Sequence, residues 1–266
     1  MRIIDVHLHT APEDVSASEM IKAMDASGVA KTLVITRQER SDLAKMREQI
    51  VYTSKVIAEA PDRLGGLAFI QPTIPGAADL AAEALNDMGY IGLKMMPDHW
   101  YPYEERLEPF WEKMNDAKAS ILFHTGILWA NEDSSRFCRP VYLEKLYHYP
   151  DIRFTMAHIS WPWCEECIAV LGRLRAAEKR SGDRRPQCYI DLTPGTPRHI
   201  RKQAIANAFD YCGDRLMFGT DCRTSNMARQ KDHIDRDLAI FDELGLTPEQ
   251  KERIMSGAAD ELFPVR

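Results

Sequence analysis

Short runs of apolar, β-branched residues recur along the chain, and each is followed by a longer stretch with apolar positions at helical spacing. The first run covers 2–9, with a helix over 18–26 that Gly28 ends. The second covers 31–36, followed by a helix over 41–60 that Pro61 stops. The third and fourth, 64–71 and 90–96, precede helices opened by Pro75-Gly76 and running over 105–118. The fifth, 120–125, leads through a long loop to a helix over 141–149. The sixth, 152–158, is followed by a helix over 164–179 and a basic, solvated loop to Arg185. The seventh and eighth, 187–192 and 215–221, precede helices ending near Phe209 and spanning 231–244. A last helix over 247–262 begins with Thr247-Pro248-Glu249-Gln250, which supplies an N-cap, a first-turn proline and a capping-box glutamine.

Strands this apolar, separated by crossover-length helices, must be parallel and covered on both faces. Eight such units in 266 residues fit a closed (β/α)8 TIM barrel with an extra C-terminal helix better than an open doubly wound sheet. No Gly-x-Gly-x-x-Gly follows the first strand, which removes the main support for a dinucleotide fold. With no composition break or linker, residues 1–266 read as one domain.

Placing the polar residues on this pattern brings in chemistry, because barrel active sites gather at the C-terminal ends of the strands. The first strand ends Asp5-Val6-His7-Leu8-His9; alternation puts Asp5, His7 and His9 on one face, directed inward. The fifth ends in His124, the sixth in His158 and the eighth in Asp221. Strand ends are roughly an eighth of a barrel chain, so about one of the 8 histidines belongs there by chance. Four lie there instead. One buried histidine is ordinarily a satisfied core residue; four converging with an aspartate suit a divalent cation, zinc first, with manganese or another transition metal as alternatives. Such an ion makes hydroxide available from water near neutral pH and polarises a carbonyl. Asp221 can take the water proton, and His158 can serve as an acid, a base or an oxyanion partner.

The ordered motifs Asp5-Val6-His7-Leu8-His9, Phe123-His124-Thr125-Gly126, Ala157-His158 and Phe218-Gly219-Thr220-Asp221 resemble the amidohydrolase superfamily. Within it they resemble the amidohydrolase-related branch that contains aminocarboxymuconate-semialdehyde decarboxylase. Gly257 to Phe263 is similar to that branch's ending, with Ala258 where an asparagine is usual. The resemblance spans the chain. It implies that His7, His9, His124 and Asp221 are metal ligands and that His158 is the catalytic or substrate-activating histidine. It also gives Lys94, at the end of the fourth strand, two readings: a carbamate bridging two metals, or a free ammonium facing substrate or carboxylate charge.

The loops after the strands carry tryptophans and arginines suited to a planar, carboxylate-bearing substrate. Trp161 and Arg223 are expected there by their adjacency to His158 and Asp221, with His99 and Arg139 as further candidates. Asp191 and Asp5 are candidate carboxylates behind the ligating histidines.

Composition narrows the partners. A net charge of −6 leaves no basic stripe for nucleic acid, and no apolar run is long enough to span a membrane. The opening residues lack the apolar core of a secretory leader, so the expected location is the cytoplasm. The 6 cysteines are then expected as free thiols, and Cys164-x-x-Cys167 falls two ligands short of a zinc site. The expected partner is a small-molecule substrate, with a homodimer common among such proteins. Two reactions share these ligands. The first is hydrolysis of an amide, ester or lactone by metal-activated water; the alternative is non-oxidative decarboxylation of an aromatic or enoic acid.

Overall fold

A computed structural model describes residues 1–10, 16–129 and 133–264. The alternation becomes β1 Ile4–His9, α1 Ala17–Ser27, β2 Lys31–Ile35, α2 Leu43–Ala58, β3 Leu64–Phe69, α3 Ala77–Asp87, β4 Gly92–Met95 and α4 Glu108–Asp116. It continues with β5 Ser120–Phe123, β6 Arg153–Met156, α5 Cys164–Ser181, β7 Gln187–Asp191, α6 Arg198–Cys212, β8 Leu216–Met217, β9 Cys222–Arg223 and α7 Gln230–Glu243. Pairing is parallel throughout, in the order β8-β7-β6-β5-β4-β3-β2-β1-β9. The two ends of this order are consecutive pieces of chain, so the sheet closes on itself as a TIM barrel.

The expected eighth strand over 215–221 is therefore split. Its start pairs with β7, and its continuation pairs with β1 through Leu8–Cys222 and His9–Arg223. Between them Asp221 takes a left-handed conformation (φ 54°), which a regular strand cannot hold. Asp221 N–H still donates to the His7 carbonyl at 2.9 Å, which ties the break to the end of β1.

Side chains alternate between two apolar layers. Ile4, Val6, Leu33, Leu67, Leu122 and Met217 fill the barrel interior. Val34, Ala68, Leu93, Ile121 and Phe154 pack outward under the helices. The alternation breaks once in β1. Its register with β2 shifts between Asp5 and Leu8, so Ile4 and Val6 point inward while Leu8 points outward. Asp5 accordingly does not share the face of His7 and His9, contrary to the alternation expected from sequence. It accepts hydrogen bonds from Thr220 N (2.9 Å), Thr220 Oγ1 (2.6 Å) and Gln230 Nε2 (2.8 Å).

The C-terminal helix closes the floor of the barrel. It runs as α8 Pro248–Glu252, a wider π-helical turn over Arg253–Gly257, and α9 Ala258–Leu262. Ala258, Ala259, Leu262 and Phe263 join the interior layer, and Ser120 Oγ donates to the Leu262 carbonyl at 2.5 Å. Two local expectations are corrected. The segment after the long loop is a 3-10 helix, Pro140–His148, bounded by prolines at 140 and 150; α5 continues to Ser181 before Gly182 caps it in the left-handed conformation.

Candidate metal centre and active site

His7 and His9 leave the end of β1 on the inward face, and Asp221 meets them from the broken eighth strand. His7 Nε2 and His9 Nε2 are 3.1 Å apart. Asp221 Oδ1 lies 3.5 Å from the first and 3.2 Å from the second. Ligand atoms at ordinary zinc bond lengths and tetrahedral angles stand about 3.3 Å apart. Three donor atoms of the right chemical kind thus stand at the spacing a single divalent cation requires, and among the described residues these three form the group able to hold one. His124 lies outside that tight set. Its Nδ1 is 3.2 Å from His158 Nε2, and its Nε2 is buried without a hydrogen-bond partner. A buried, unpartnered imidazole nitrogen is costly unless something ligates it, so His124 also fits the cation, as its fourth candidate ligand.

The surroundings keep the buried rings of His7, His124 and His158 neutral. His7 is fully buried, and its Nδ1 donates to Asp191 Oδ2 at 2.8 Å, which leaves the Nε2 lone pair toward the site. Burial, aided by the Lys94 charge, holds His7 well below the ordinary histidine range. Burial and the neighbouring His158 do the same to His124. His158 is lowered too, chiefly by burial. Asp191 is pushed up to about 6 by burial. Burial also acts to raise Asp221, but its close approach to the His7 and His9 rings outweighs it and holds the carboxyl far below its usual range. Lys94, on β4, is 1% exposed and places Nζ 3.1 Å from His7 Nε2; burial lowers its ammonium to about 8.

His158 stands where the chain turns sharply, with His158, Ile159 and Ser160 all in the left-handed region (φ 63°, 49° and 53°). Both of its ring nitrogens are engaged. Nδ1 is 2.8 Å from Thr193 Oγ1, and Nε2 faces His124.

A cavity of about 500 Å³ opens above the centre, lined by His9, His124, His158 and Asp221. Arg223 and Trp129 line its rim, and Trp161 stacks on Trp129 with ring centroids 5.7 Å apart. His99 and Arg139 are placed elsewhere. His99 is exposed and bonded to Asp98, and Arg139 pairs with Glu166 and lies over the Trp163 ring. The cavity also takes in Arg37, Gln38 and Arg40 from the loop after β2, which the sequence reading missed. Arg40 is held by Asp98 at 2.5 Å. The one available signal was position: a Thr-Arg-Gln-x-Arg run directly after a strand end.

Comparison with known proteins agrees with this architecture. A 5-carboxyvanillate decarboxylase from Novosphingobium aromaticivorans DSM 12444, complexed with manganese and 4-hydroxy-3-methoxy-5-nitrobenzoic acid, superposes with a TM-score of 0.72 at 13% identity, covering 98% of this chain and 96% of that one. A 2,6-dihydroxybenzoate decarboxylase complexed with 2,6-dihydroxybenzoate gives 0.70 at 16% identity, with 99% and 98% covered. A probable 2-pyrone-4,6-dicarboxylic acid hydrolase from Acinetobacter baumannii, with citric acid bound, gives 0.66 at 17% identity, with 99% of each chain covered. At these identities the likeness establishes the barrel fold. No curated protein sequence matches the chain. The amidohydrolase family profile matches residues 4–265, and the chain belongs to the amidohydrolase family.

Proposed function

We propose that this protein hydrolyses the carbonyl of an amide, ester or lactone in a small, carboxylate-bearing substrate, using a divalent cation, zinc first, held by His7, His9 and Asp221 with His124 as a further ligand. When bound, the cation supplies Lewis acidity and a water ionisable near neutral pH. The observation that carries the reading is the double position of Asp221: Oδ1 faces both histidines, while about a third of the side chain (34%) is open and lines the cavity. Held ionised, this carboxylate accepts the proton of the attacking water and returns it to the leaving group. Among the described residues that line the cavity, Arg37, Arg40 and Arg223 stand against one carboxylate, Asp221, and favour an anionic substrate. Trp129 offers a flat wall for a planar one. His158, with both nitrogens engaged inside the protein, contributes by fixing His124.

A second reading, non-oxidative decarboxylation of an aromatic or enoic acid with proton delivery to carbon, is favoured by the two decarboxylases among the structurally similar proteins. A panel of lactones, esters, amides and hydroxybenzoates assayed with Zn2+- or Mn2+-loaded protein separates the two. Proton release from the carbonyl compounds supports hydrolysis, and carbon dioxide release from the acids supports the second reading. Asp221→Asn is expected to retain the fold and lower turnover by about 10²- to 10⁴-fold, the range for loss of a positioned base. Unchanged turnover in that variant would remove Asp221 from proton transfer.

A further inference from the structure

One carboxylate joins three of the loops around the mouth of the barrel. Asp98 lies in the loop after β4, and its Oδ2 accepts from Arg40 Nη1, in the loop after β2, at 2.5 Å. Its Oδ1 accepts from the Ser134 hydroxyl, in the loop after β5, and stands 2.7 Å from His99 Nδ1. The Cys138 thiol adds a contact of 3.0 Å to the neighbouring Pro97 carbonyl. The loop after β4 is anchored in turn by Trp100, which is fully buried and donates from Nε1 to Gln71 Oε1 at 3.0 Å. Only 12% of the Asp98 side chain is exposed.

Of Asp98 and these partners, Arg40 is the one that lines the cavity. The loop that carries it leaves β2 beside the candidate centre, because Ile35 pairs with His9. Gln38 Oε1 accepts from Arg40 Nη2 at 2.8 Å, and the Met96 sulfur lies 3.8 Å from the same nitrogen. A guanidinium carries five N–H donors in a rigid fork, so it can hold Asp98 and still meet a second anion. Two effects of Asp98 on such an anion oppose each other. Its charge offsets that of Arg40 and weakens the attraction. Its grip takes up rotamer freedom on folding that a loose arginine would lose on binding, which strengthens it. The contacts that brace the carboxylate itself favour the second effect, since offsetting a charge needs no bracing.

We propose that Asp98 is a positioning residue that presents Arg40 to the cavity as the anchor for a carboxylate remote from the reacting carbonyl. The reaction rests on the function proposed above; the anion anchor does not.

The test measures binding to the full-length protein in the presence of Zn2+ by isothermal titration calorimetry. The probes are isophthalate and meta-acetylbenzoate, the same planar acid with a neutral acetyl group in place of one carboxylate. The wild type is expected to bind isophthalate about 10- to 100-fold more tightly, the range for a hydrogen bond to a charged group. Arg40→Met is expected to erase that preference. Asp98→Asn is expected to weaken isophthalate by about 10-fold, to leave meta-acetylbenzoate unchanged, and to cost nothing further when combined with Arg40→Met. Ser134→Ala loosens Asp98 and leaves both charges in place; it is expected to weaken isophthalate alone, by about 3-fold. Should Asp98→Asn fail to fold, an unchanged affinity in Ser134→Ala overturns the proposal. A wild type indifferent to the second carboxylate overturns it as well. So does an Asp98→Asn protein that binds isophthalate as tightly as the wild type or more tightly, or that loses both probes equally. Charge-selective binding that depends on Asp98, in protein that turns over no ester, amide or lactone, upholds the anchor and overturns the hydrolytic reading instead.

Discussion

Gly195 shows how closely single residues hold this centre. A Cβ added there would fall 2.7 Å from His158 Cβ and 2.9 Å from its Cγ, closer than real carbon contacts allow. The loop after β7 can approach His158, and Thr193 can reach its ring, because position 195 lacks a side chain. Gly195→Ala is expected to fold but to displace the ring or the loop. Misplacement by about 1 Å can cost about 100-fold in rate, so a fall in kcat of about 10- to 100-fold is expected in steady-state kinetics. An unchanged kcat would show that the loop yields without moving His158. At this scale the grouping of the candidate residues was partly legible beforehand. His7, His9 and Asp221 stand at strand ends, where residue type and topology together mark them. Asp191 was legible as a carboxylate behind one of the strand-end histidines, and it does meet His7. Asp5 was misplaced because one register shift in β1 inverts the alternation on which the reading depended. Arg37 and Arg40 were missed because the path of a loop leaves no periodic trace in the residues that form it.

Elements are locked to the site by a buried ion pair. Arg201 on α6 donates to Asp237 on α7 through Nε (3.0 Å) and Nη2 (2.7 Å), and Nη2 also reaches the Leu192 carbonyl at 2.5 Å. Two helices are thereby pinned to the segment that follows Asp191. Both residues are at most 2% exposed. Removing one partner leaves the other charge buried, so Asp237→Ala is expected to destabilise the fold by about 3–5 kcal/mol, measured by urea unfolding. A loss of under about 1 kcal/mol would mean that water reaches and solvates the stranded Arg201 guanidinium. The strand–helix alternation itself was readable, since two periods trading places along the chain can be seen without any contact being known. This ion pair was not readable, because a charged residue in a helical pattern looks like a solvated face until its neighbours are placed. The break at Asp221 was hidden for a related reason: a run of β-forming residues does not reveal that one member must adopt a left-handed conformation.

For the molecule as a whole, binding of an ion to the folded state alone must raise stability. A cation present at 100-fold its Kd adds about 2.7 kcal/mol. At about 2–4 °C per kcal/mol for a domain of this size, chelation of the loaded protein is expected to lower Tm by about 5–10 °C while abolishing turnover. Equal melting temperatures with and without chelator would exclude a tightly held ion. The overall charge of −6 contrasts with the guanidinium-rich cavity, so attraction of an anion to this mouth is local, and the affinity for an anionic probe is expected to weaken as salt rises. Among the described residues no helix is long and apolar enough to cross a membrane.

The divided eighth strand has a consequence for how the cylinder is assembled. Its two short pieces are stitched to β7 on one side and to β1 on the other, so the seam joins segments more than two hundred residues apart in the chain. Contacts between such distant partners carry the largest entropic cost and form late. Asp221 lies in that seam. A growing polypeptide would therefore possess its imidazoles long before it possessed a place to gather them, and the reactive centre would be born only at the final stitch.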